Sequence, residues 1–179
     1  MRRARSEFRP LLLAAWLGVA GCAPGATGKA GPAPDEWSRV RVAHVIDGDT
    51  LVAERDDGTR TRVRLLGIDT PELGRDGEAD EPWAREARDL ARRLVEGREV
   101  TLLRDPQVRD RDDYGRLLRH VRLLEGRLLE EELLRAGYAE VYERARFERK
   151  ALFRRLERQA RTAGIGIWSA SGEKGRGRE

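Results

Sequence analysis

Alternating polar and apolar residues mark three short segments that open the folded part of the chain. The segments are RVRVAHVI, TLVAE and TRTRVRLL, at residues 39–46, 50–54 and 59–66. A side-chain period of two is typical of half-buried β-strands. It places Val40, Val42 and Ile46 on one face of the first strand. Val63 and Leu65 likewise share a face of the third, so we predict three strands that each turn one face toward a core.

The boundary between the second and third segments has the residues of a tight turn. Asp57-Gly58 lies between the two alternating runs, and this pair favours a two-residue hairpin loop. We predict a type I′ turn, in which both central residues have positive φ. The hairpin returns the chain to the point where the second strand began, with Arg64 on the strand face opposite the core residues.

The segment EPWAREARDLARRLVEG, residues 81–97, carries its apolar side chains at the spacing of an amphipathic helix. Pro82 suits the first helical position, because proline lacks the N–H group that a helix leaves unpaired there. Gly97 suits the end of the helix. We therefore predict one helix between these two residues.

Two further strands and two further helices complete the pattern. The strands are predicted in REVTLLR and GRLLRHVRLL, residues 98–104 and 115–124, and the helices in LLEEELLRAG and FERKALFRRLERQARTAG, residues 128–137 and 147–164. Strands followed by appended helices indicate an α+β domain. Five strands joined by short hairpins suit a small closed β-barrel.

The first residues of the chain indicate an export signal. MRRARSEFR is basic, and LLLAAWLGVA is an apolar run of about ten residues, too short to span a bilayer. The run ends in VAGC, where small residues precede Cys22, the only cysteine of the chain. This resembles the lipobox of bacterial lipoproteins and predicts lipidation of Cys22 after cleavage before it. The alternative is an ordinary secretory signal in which the cysteine is incidental.

The 179 residues then divide into one domain with extensions at both ends. We predict a lipoprotein signal peptide at 1–21, the lipidated cysteine with a flexible Ala/Gly/Pro tether at 22–36, a single domain at 37–170 and a polar, disordered tail at 171–179. The expected product is an exported bacterial membrane lipoprotein that faces the periplasm or the cell exterior.

Net charge gives little support for general polyanion binding once the signal peptide is removed. The whole chain has a formal charge of +4, of which residues 1–21 contribute +3 through four arginines and one glutamate. The remainder carries +1, so the high overall pI does not indicate a nucleic-acid binder. A polyanion would have to be bound by locally placed arginines and a metal ion.

Two acidic clusters follow predicted strands, DGDT at residues 47–50 and DTPE at residues 69–72. Each alone is consistent with a turn, because Asp-Gly and Asp-Thr-Pro are common where a chain leaves a sheet. The predicted hairpin joins the two clusters, so Asp49 and Asp69 could converge on one spot. Hard carboxylate oxygens without nitrogen or sulfur partners favour Ca²⁺ or Mg²⁺.

Zinc is disfavoured, because the chain offers few softer ligands. They are Cys22 at the lipid end and two histidines far apart in the sequence, His44 and His120. Both histidines fall within predicted strands, and we interpret them as packing or surface residues.

Two arginines are candidates for phosphate binding. Arg64 lies within the hairpin that carries the acidic clusters, whereas Arg116, in DDYGR where the last strand begins, is not distinguished by its position alone. Two guanidinium groups beside a metal ion would hold a phosphodiester through paired hydrogen bonds. They would also offset the charge that builds at phosphorus during displacement.

Four motifs in this order, IDGDT, RLLGIDTPE, DDYGRLL and GIGIWS, resemble the thermonuclease, or staphylococcal-nuclease-like, family. The resemblance covers the chain from about Val40 to Ser169. It implies a five-stranded OB-fold barrel with three α-helices, which agrees with the element order above. It also implies a monomer with Ca²⁺-dependent hydrolysis of DNA and RNA, in which the 5′ P–O bond is cleaved and 3′-phosphate ends remain.

The resemblance also implies roles for individual residues. Asp49 and Asp69 would ligate Ca²⁺, with the backbone carbonyl of Thr70 as a further ligand. Asp47 would support the metal indirectly, and Glu72 would act as general base or orient the attacking water. The phosphate-binding arginines would be Arg64 and Arg116, and Tyr114 would line the nucleotide site.

Some positions depart from the family pattern. Asp113 stands where the well-known member has a lysine, and the loop LGRDGEADE, residues 73–81, is acidic where its counterpart is basic. Both changes weaken the attraction for long polyanions. The pocket tyrosines that follow the second helix have no clear match, so Tyr138 and Tyr142 are only candidates for them.

Two rival functions remain open at this point. OB barrels often serve as binding platforms, so a catalytically inactive, membrane-anchored module that binds nucleic acid or protein is the main alternative. A lipid-anchored structural protein that binds Ca²⁺ is a third. Catalysis is favoured over both because all five residues of the implied catalytic set are present, Asp49, Arg64, Asp69, Glu72 and Arg116.

Overall fold

The structure is a computed structural model and describes residues 37–169. The strands are β1 (Arg39–Val45), β2 (Thr50–Glu54), β3 (Arg60–Leu65), β4 (Ile68–Asp69), β5 (Glu99–Leu103), β6 (Leu117–Arg122) and β7 (Glu140–Val141). The helices are α1 (Ala84–Val95), α2 (Leu129–Arg135) and α3 (Lys150–Ala163), followed by a 3₁₀ turn at Gly166–Trp168. The predicted signal peptide, Cys22, the tether and the tail lie outside the described residues.

Five of the strands close into a barrel in the order β1-β2-β3-β6-β5, and β1 pairs with β5 to complete the ring. All neighbours are antiparallel except β3 and β6, which run parallel. Together with the three helices this confirms the predicted α+β fold, a five-stranded OB-type barrel. The two-residue strands β4 and β7 form a separate small sheet, which was not predicted because two residues show no alternation.

The interior of the barrel is filled by apolar side chains from every strand. Those buried to 1% exposure or less include Val42, Leu51, Ala53, Val63, Leu65, Leu117 and Val121. The inward positions predicted for β3 are thus confirmed. Helices α2 and α3 add fully buried side chains, such as Leu133 and Phe153, to the same continuous core.

The predicted inward face of β1 is wrong at its last position. The pairing of β1 with β2 is irregular between Val42 and His44, so the alternation shifts by one residue. Val45 is buried at 2% exposure, whereas Ile46 is only partly buried. A β-bulge inserts an extra residue into one strand and turns the following side chains to the other face.

The hairpin between β2 and β3 forms as predicted, but not through a type I′ turn. Gly58 has a φ of 79°, whereas Asp57 is not among the described residues with positive φ. Gly58 N–H donates to the carbonyl of Arg55, and Arg55 N–H donates to that of Thr59. These bonds are those of a three-residue loop with a left-handed residue in its last position.

Helix α1 begins later than predicted. Its first helical residue is Ala84, so Pro82 lies outside the helix. Trp83 takes the N-cap position with a φ of 76°, which is unusual for a residue with a side chain. Its ring stacks on that of Tyr138 with centroids 5.8 Å apart, and this contact holds the residue in place. At the other end the helix stops before Gly97, as predicted.

Within residues 37–169, no helix combines the length and the apolar character needed to cross a membrane.

Gly67 links the barrel to the β4 strand at a point of very close approach. Its φ is 81°, and a Cβ built on it would lie 2.5 Å from the Phe147 ring. Its carbonyl accepts a hydrogen bond of 3.0 Å from Tyr142 N–H, which extends the pairing of β4 with β7 at one end of the small sheet. Only glycine meets both the conformation and the space at this position.

Gly67→Ala should therefore destabilise the protein more than Gly58→Ala. Both changes place a side chain at positive φ, which costs about 1–2 kcal/mol, but only the first also drives a methyl group into a ring, for about 1–3 kcal/mol more. Nothing lies within 4 Å of a Cβ at Gly58. Urea unfolding measures both losses, and equal losses would show that Phe147 moves aside freely.

Candidate active site

The β2–β3 hairpin places the first acidic cluster beside the first candidate arginine. Thr50 lies opposite Arg64 in the hairpin register, and Leu65 N–H donates to the backbone carbonyl of Asp49 at 2.8 Å. The chain then turns at Gly67 into β4, which ends at Asp69. The two acidic clusters therefore meet at one end of the hairpin.

One guanidinium group joins the two aspartates. Arg64 forms an ion pair through Nη1 with Asp49 Oδ2, and through Nη2 with Asp69 Oδ1 at 2.5 Å. The Asp49 side chain is 2% exposed and that of Arg64 is 14% exposed, whereas Asp69 is half-exposed. Each of the two aspartates thus already binds a cationic group, and Asp69 also faces solvent.

The buried Asp49 carboxylate also accepts hydrogen bonds from its neighbours. Thr70 N–H donates to Oδ2 at 3.0 Å, and the Thr50 hydroxyl donates to Oδ1 at 3.1 Å. Asp47 Oδ1 accepts the Asp49 N–H at 3.3 Å. Asp47 is itself buried, so it holds the backbone of Asp49 and adds a further negative charge beside it.

The carboxylates around Asp49 carry more negative charge than the single positive charge of Arg64 can balance. Burial is the main cause that raises the pKa of the Asp49 carboxyl from 3.8 to about 7, and the nearby Asp47 and Asp69 carboxylates contribute to this rise. The charge of Arg64 opposes it. A buried carboxylate stays charged only when it is paired with enough cationic or hydrogen-bonding groups. A bound cation would supply what is missing.

Glu72 lies on the loop that follows β4, and its side chain is 57% exposed. Its backbone N–H donates to Glu81 Oε2 at 2.8 Å, and Glu81 N–H donates back to the Glu72 carbonyl at 3.0 Å. Burial and the charge of Asp47 raise the pKa of Glu72, while Arg64 and Arg75 oppose the rise. A carboxylate with a raised pKa is a better proton acceptor.

Arg116 reaches the same site from the residue before β6, the strand that pairs with β3. Its Nη1 lies 3.4 Å from Thr50 Oγ1, the hydroxyl that also contacts Asp49. Its Nε donates to Asp112 Oδ2 at 2.7 Å. Tyr114 is 85% exposed, and its ring centroid lies 5.4 Å from the Arg116 guanidinium carbon. Every residue of the predicted set that lies within residues 37–169 therefore falls in one region.

The donor set suits a hard divalent cation. Asp49 and Asp69 offer carboxylate oxygens, which Ca²⁺ and Mg²⁺ prefer. No three His, Cys, Asp or Glu side chains within residues 37–169 form a metal-binding group. The predicted ligand set contains two carboxylates and the Thr70 carbonyl, so it has fewer than three side-chain ligands. In the structure the Arg64 guanidinium binds both carboxylates, and it would have to release one of them before a cation could bind there.

Neither histidine belongs to this site. His44 is exposed, 3.8 Å from a carboxylate oxygen of Glu96. His120 is buried, and its Nδ1 lies 2.9 Å from Glu130 Oε1. Their interpretation as surface and packing residues is confirmed.

The two candidate tyrosines lie in different environments. Tyr138 is partly buried against Trp83. Tyr142 is 42% exposed and lines a groove of about 620 Å³ that also contacts Asp69. Only Tyr142 is therefore placed next to the acidic cluster.

Sequence reasoning missed three residues that hold the site together. Thr50 bridges Asp49 and Arg116, Glu81 holds the backbone of Glu72, and Asp112 holds Arg116. Asp112 could have been found from its spacing, because a turn that contains Gly115 brings residues four apart into contact. The contacts of Thr50 and Glu81 depend on the fold.

Known proteins resemble this chain over most of its described part. Residues 62–170 match the family described as Staphylococcal nuclease homologue. A thermonuclease of Staphylococcus hyicus is 32% identical over 130 residues, which cover 72% of this chain and 75% of that protein. An uncharacterized endonuclease of Escherichia coli O157:H7 is 34% identical, with 72% and 76% covered. Endonuclease YncB of Bacillus subtilis is 34% identical, with 74% and 63% covered.

Stability in calcium-free buffer should fall with pH because of Asp49. Between pH 3.8 and about 7 the unfolded chain releases this proton while the folded protein retains it, so folding loses free energy as pH rises. Urea unfolding from pH 4 to 8 should show a loss on the order of a few kcal/mol that Asp49→Asn abolishes. Asp56→Asn, at the exposed hairpin loop, is the control and should keep the slope of the parent. Parallel curves for the parent and Asp49→Asn would contradict the assignment.

Proposed function

Since the chain belongs to the Staphylococcal nuclease homologue family, we propose that it is a Ca²⁺-dependent endonuclease. Its substrates are DNA and RNA, and its products carry 3′-phosphate ends. The observation that carries the proposal is the Asp49–Arg64–Asp69 cluster, in which a buried carboxylate and an arginine stand beside a second carboxylate. This is an arrangement that suits a divalent cation next to a phosphate.

Asp49, Asp69 and the Thr70 carbonyl would hold the calcium ion. When bound, the ion supplies positive charge to a phosphate oxygen and lowers the pKa of a coordinated water. Arg64 already contacts both carboxylates, so it exchanges one of them for a phosphate oxygen when the substrate binds. Asp47 keeps Asp49 in place through its backbone.

Glu72 takes a proton from the attacking water or orients that water. Its raised pKa and its exposed side chain suit either role. Arg116 donates from its terminal nitrogens to the phosphate and offsets the charge that builds at phosphorus. Tyr114 lies exposed beside Arg116, where its ring can pack against a nucleotide.

An inactive binding module is the second candidate. The acidic loop at residues 73–81 favours it, because negative charge near the site repels a polyanion. Against it stands the complete set of polar groups around Asp49, which a binding platform does not need. Burying a carboxylate with its partners is costly, and carboxylates with strongly perturbed pKa values are concentrated at functional sites.

The full chain in detergent should cut both DNA and RNA in Ca²⁺ and lose this activity in chelator. Glu72→Gln should lower kcat by about 10²- to 10⁴-fold, which is the usual contribution of a positioned acid–base group to the rate. Arg64→Lys should lower kcat/KM by at least about tenfold, because lysine cannot bridge two oxygens as a planar guanidinium does. Gel assays and end-group analysis measure the rates and the 3′-phosphates.

Arg62→Lys is the matched control. Arg62 lies on the same strand and is exposed, so this variant should cut at the rate of the parent. Activity that persists in chelator would sink the calcium proposal, and a parent that binds DNA without cutting it would establish the inactive module.

We also propose that the protein is an exported monomeric lipoprotein, anchored through Cys22. The apolar run followed by VAGC supports this proposal. Cys22→Ser should abolish labelling by a radioactive fatty acid and release the protein from the membrane fraction. Retention of the variant in that fraction would reject the anchor.

A further inference from the structure

Asp112 is the centre of the turn that presents Arg116. Its Oδ1 accepts the Tyr114 N–H at 3.0 Å and the Arg116 N–H at 2.9 Å. Its Oδ2 accepts the Arg116 Nε–H at 2.7 Å. The carboxylate therefore fixes both the backbone of the turn and the side chain at its end. Its own side chain is only 12% exposed.

The turn is closed by further bonds that do not involve the carboxylate. Asp112 N–H donates to the Arg116 carbonyl at 3.0 Å, and Gly115 N–H donates to the Asp112 carbonyl at 3.1 Å. Arg111 donates to the Gly115 carbonyl at 2.7 Å. The backbone of the turn thus keeps these bonds when the carboxylate is removed, whereas Arg116 Nε and the N–H groups of Tyr114 and Arg116 lose the acceptor that they share.

The contact to Nε determines which part of the guanidinium faces the site. A guanidinium has five N–H groups in a planar fork, and Nε carries one of them. With Nε committed to Asp112, the guanidinium is fixed so that its Nη1 lies 3.4 Å from Thr50 Oγ1, beside the acidic cluster. Arg116 forms its ion pair with Asp112, whereas Arg64 pairs with the site carboxylates.

We propose that Asp112 is a positioning residue for catalysis, which holds the Arg116 guanidinium with its Nη1 toward the scissile phosphate. The inference rests on the proposed nuclease function. An arginine held in advance needs no rearrangement when charge builds at phosphorus. Burial raises the pKa of Asp112, but the hydrogen bonds from Arg116 outweigh it and keep the pKa below the usual value. The group therefore stays charged throughout the neutral range.

The test compares two neighbouring aspartates in the full chain. Asp112→Ala should lower kcat by about 10- to 100-fold with little change in KM, as expected when one oriented donor is lost. Asp112→Asn keeps an acceptor oxygen and should lose less. Asp113→Asn removes the same charge from an 82%-exposed side chain that pairs with Arg109, so it should keep the kcat of the parent.

A double mutant separates positioning from a general structural role. If Asp112 acts through Arg116, then Asp112→Ala should cost nothing further in an Arg116→Ala background. Additive losses would overturn the proposal, as would an equal loss of activity in Asp113→Asn. A melting temperature for Asp112→Ala within a few degrees of the parent shows that the fold is intact.

A measurement without catalysis distinguishes a failure of this inference from a failure of the proposed function. In the parent, the Nε–H proton of Arg116 should give a slowly exchanging resonance in ¹H–¹⁵N spectra. This resonance should vanish in Asp112→Ala and persist in Asp113→Asn. A resonance that Asp112→Ala leaves unchanged would overturn the inference. A parent that fails to cut nucleic acid would instead reject the nuclease, and the spectra would still decide the role of Asp112.

Discussion

The burial of one carboxylate governs the geometry of this end of the barrel. Asp49 is 1% exposed, and a charge in that position needs a counter-charge and hydrogen-bond donors close at hand. The hairpin supplies Arg64 and Thr50, and the chain after β4 supplies the Thr70 N–H. Each partner comes from a different point along the chain, so the requirement of one side chain ties the β2–β3 hairpin to β4. The small β4–β7 sheet then connects this end of the barrel to the helices.

The two arginines of the site are held in different ways. Arg64 is shared between two carboxylates, and its place there is that of a counter-ion. Arg116 is paired with a carboxylate outside the acidic cluster and keeps its terminal nitrogens available. Arg64 thus balances the charge of the acidic cluster, whereas Arg116 is oriented by a carboxylate that lies outside this cluster.

Much of the fold follows from periodicity, because five barrel strands and three helices each extend over enough residues to show a repeat. The failures are local. The bulge near Ala43, the three-residue loop at Gly58 and the late start of α1 at Ala84 all depend on backbone dihedral angles, which many sequences can satisfy. The convergence of the acidic clusters was predictable from the hairpin. The bond between Asp112 and Arg116 was missed although the turn at Gly115 places the two residues four apart, because periodicity alone does not reveal contacts within a turn.

The parallel pairing of β3 with β6 determines at which stage of folding the two arginines of the site come together. This pairing brings Arg64 opposite Leu118, and with it Arg116 comes within reach of Thr50, 66 positions away in the chain. Contacts of such high sequence separation form late in folding, since a long loop must close first. A nascent or partly folded chain can hold the hairpin with its acidic residues, yet it lacks the second arginine. The pairing of β3 with β6 is therefore also the step that brings the second arginine to the acidic residues, so this group of side chains forms together with the barrel and not before it.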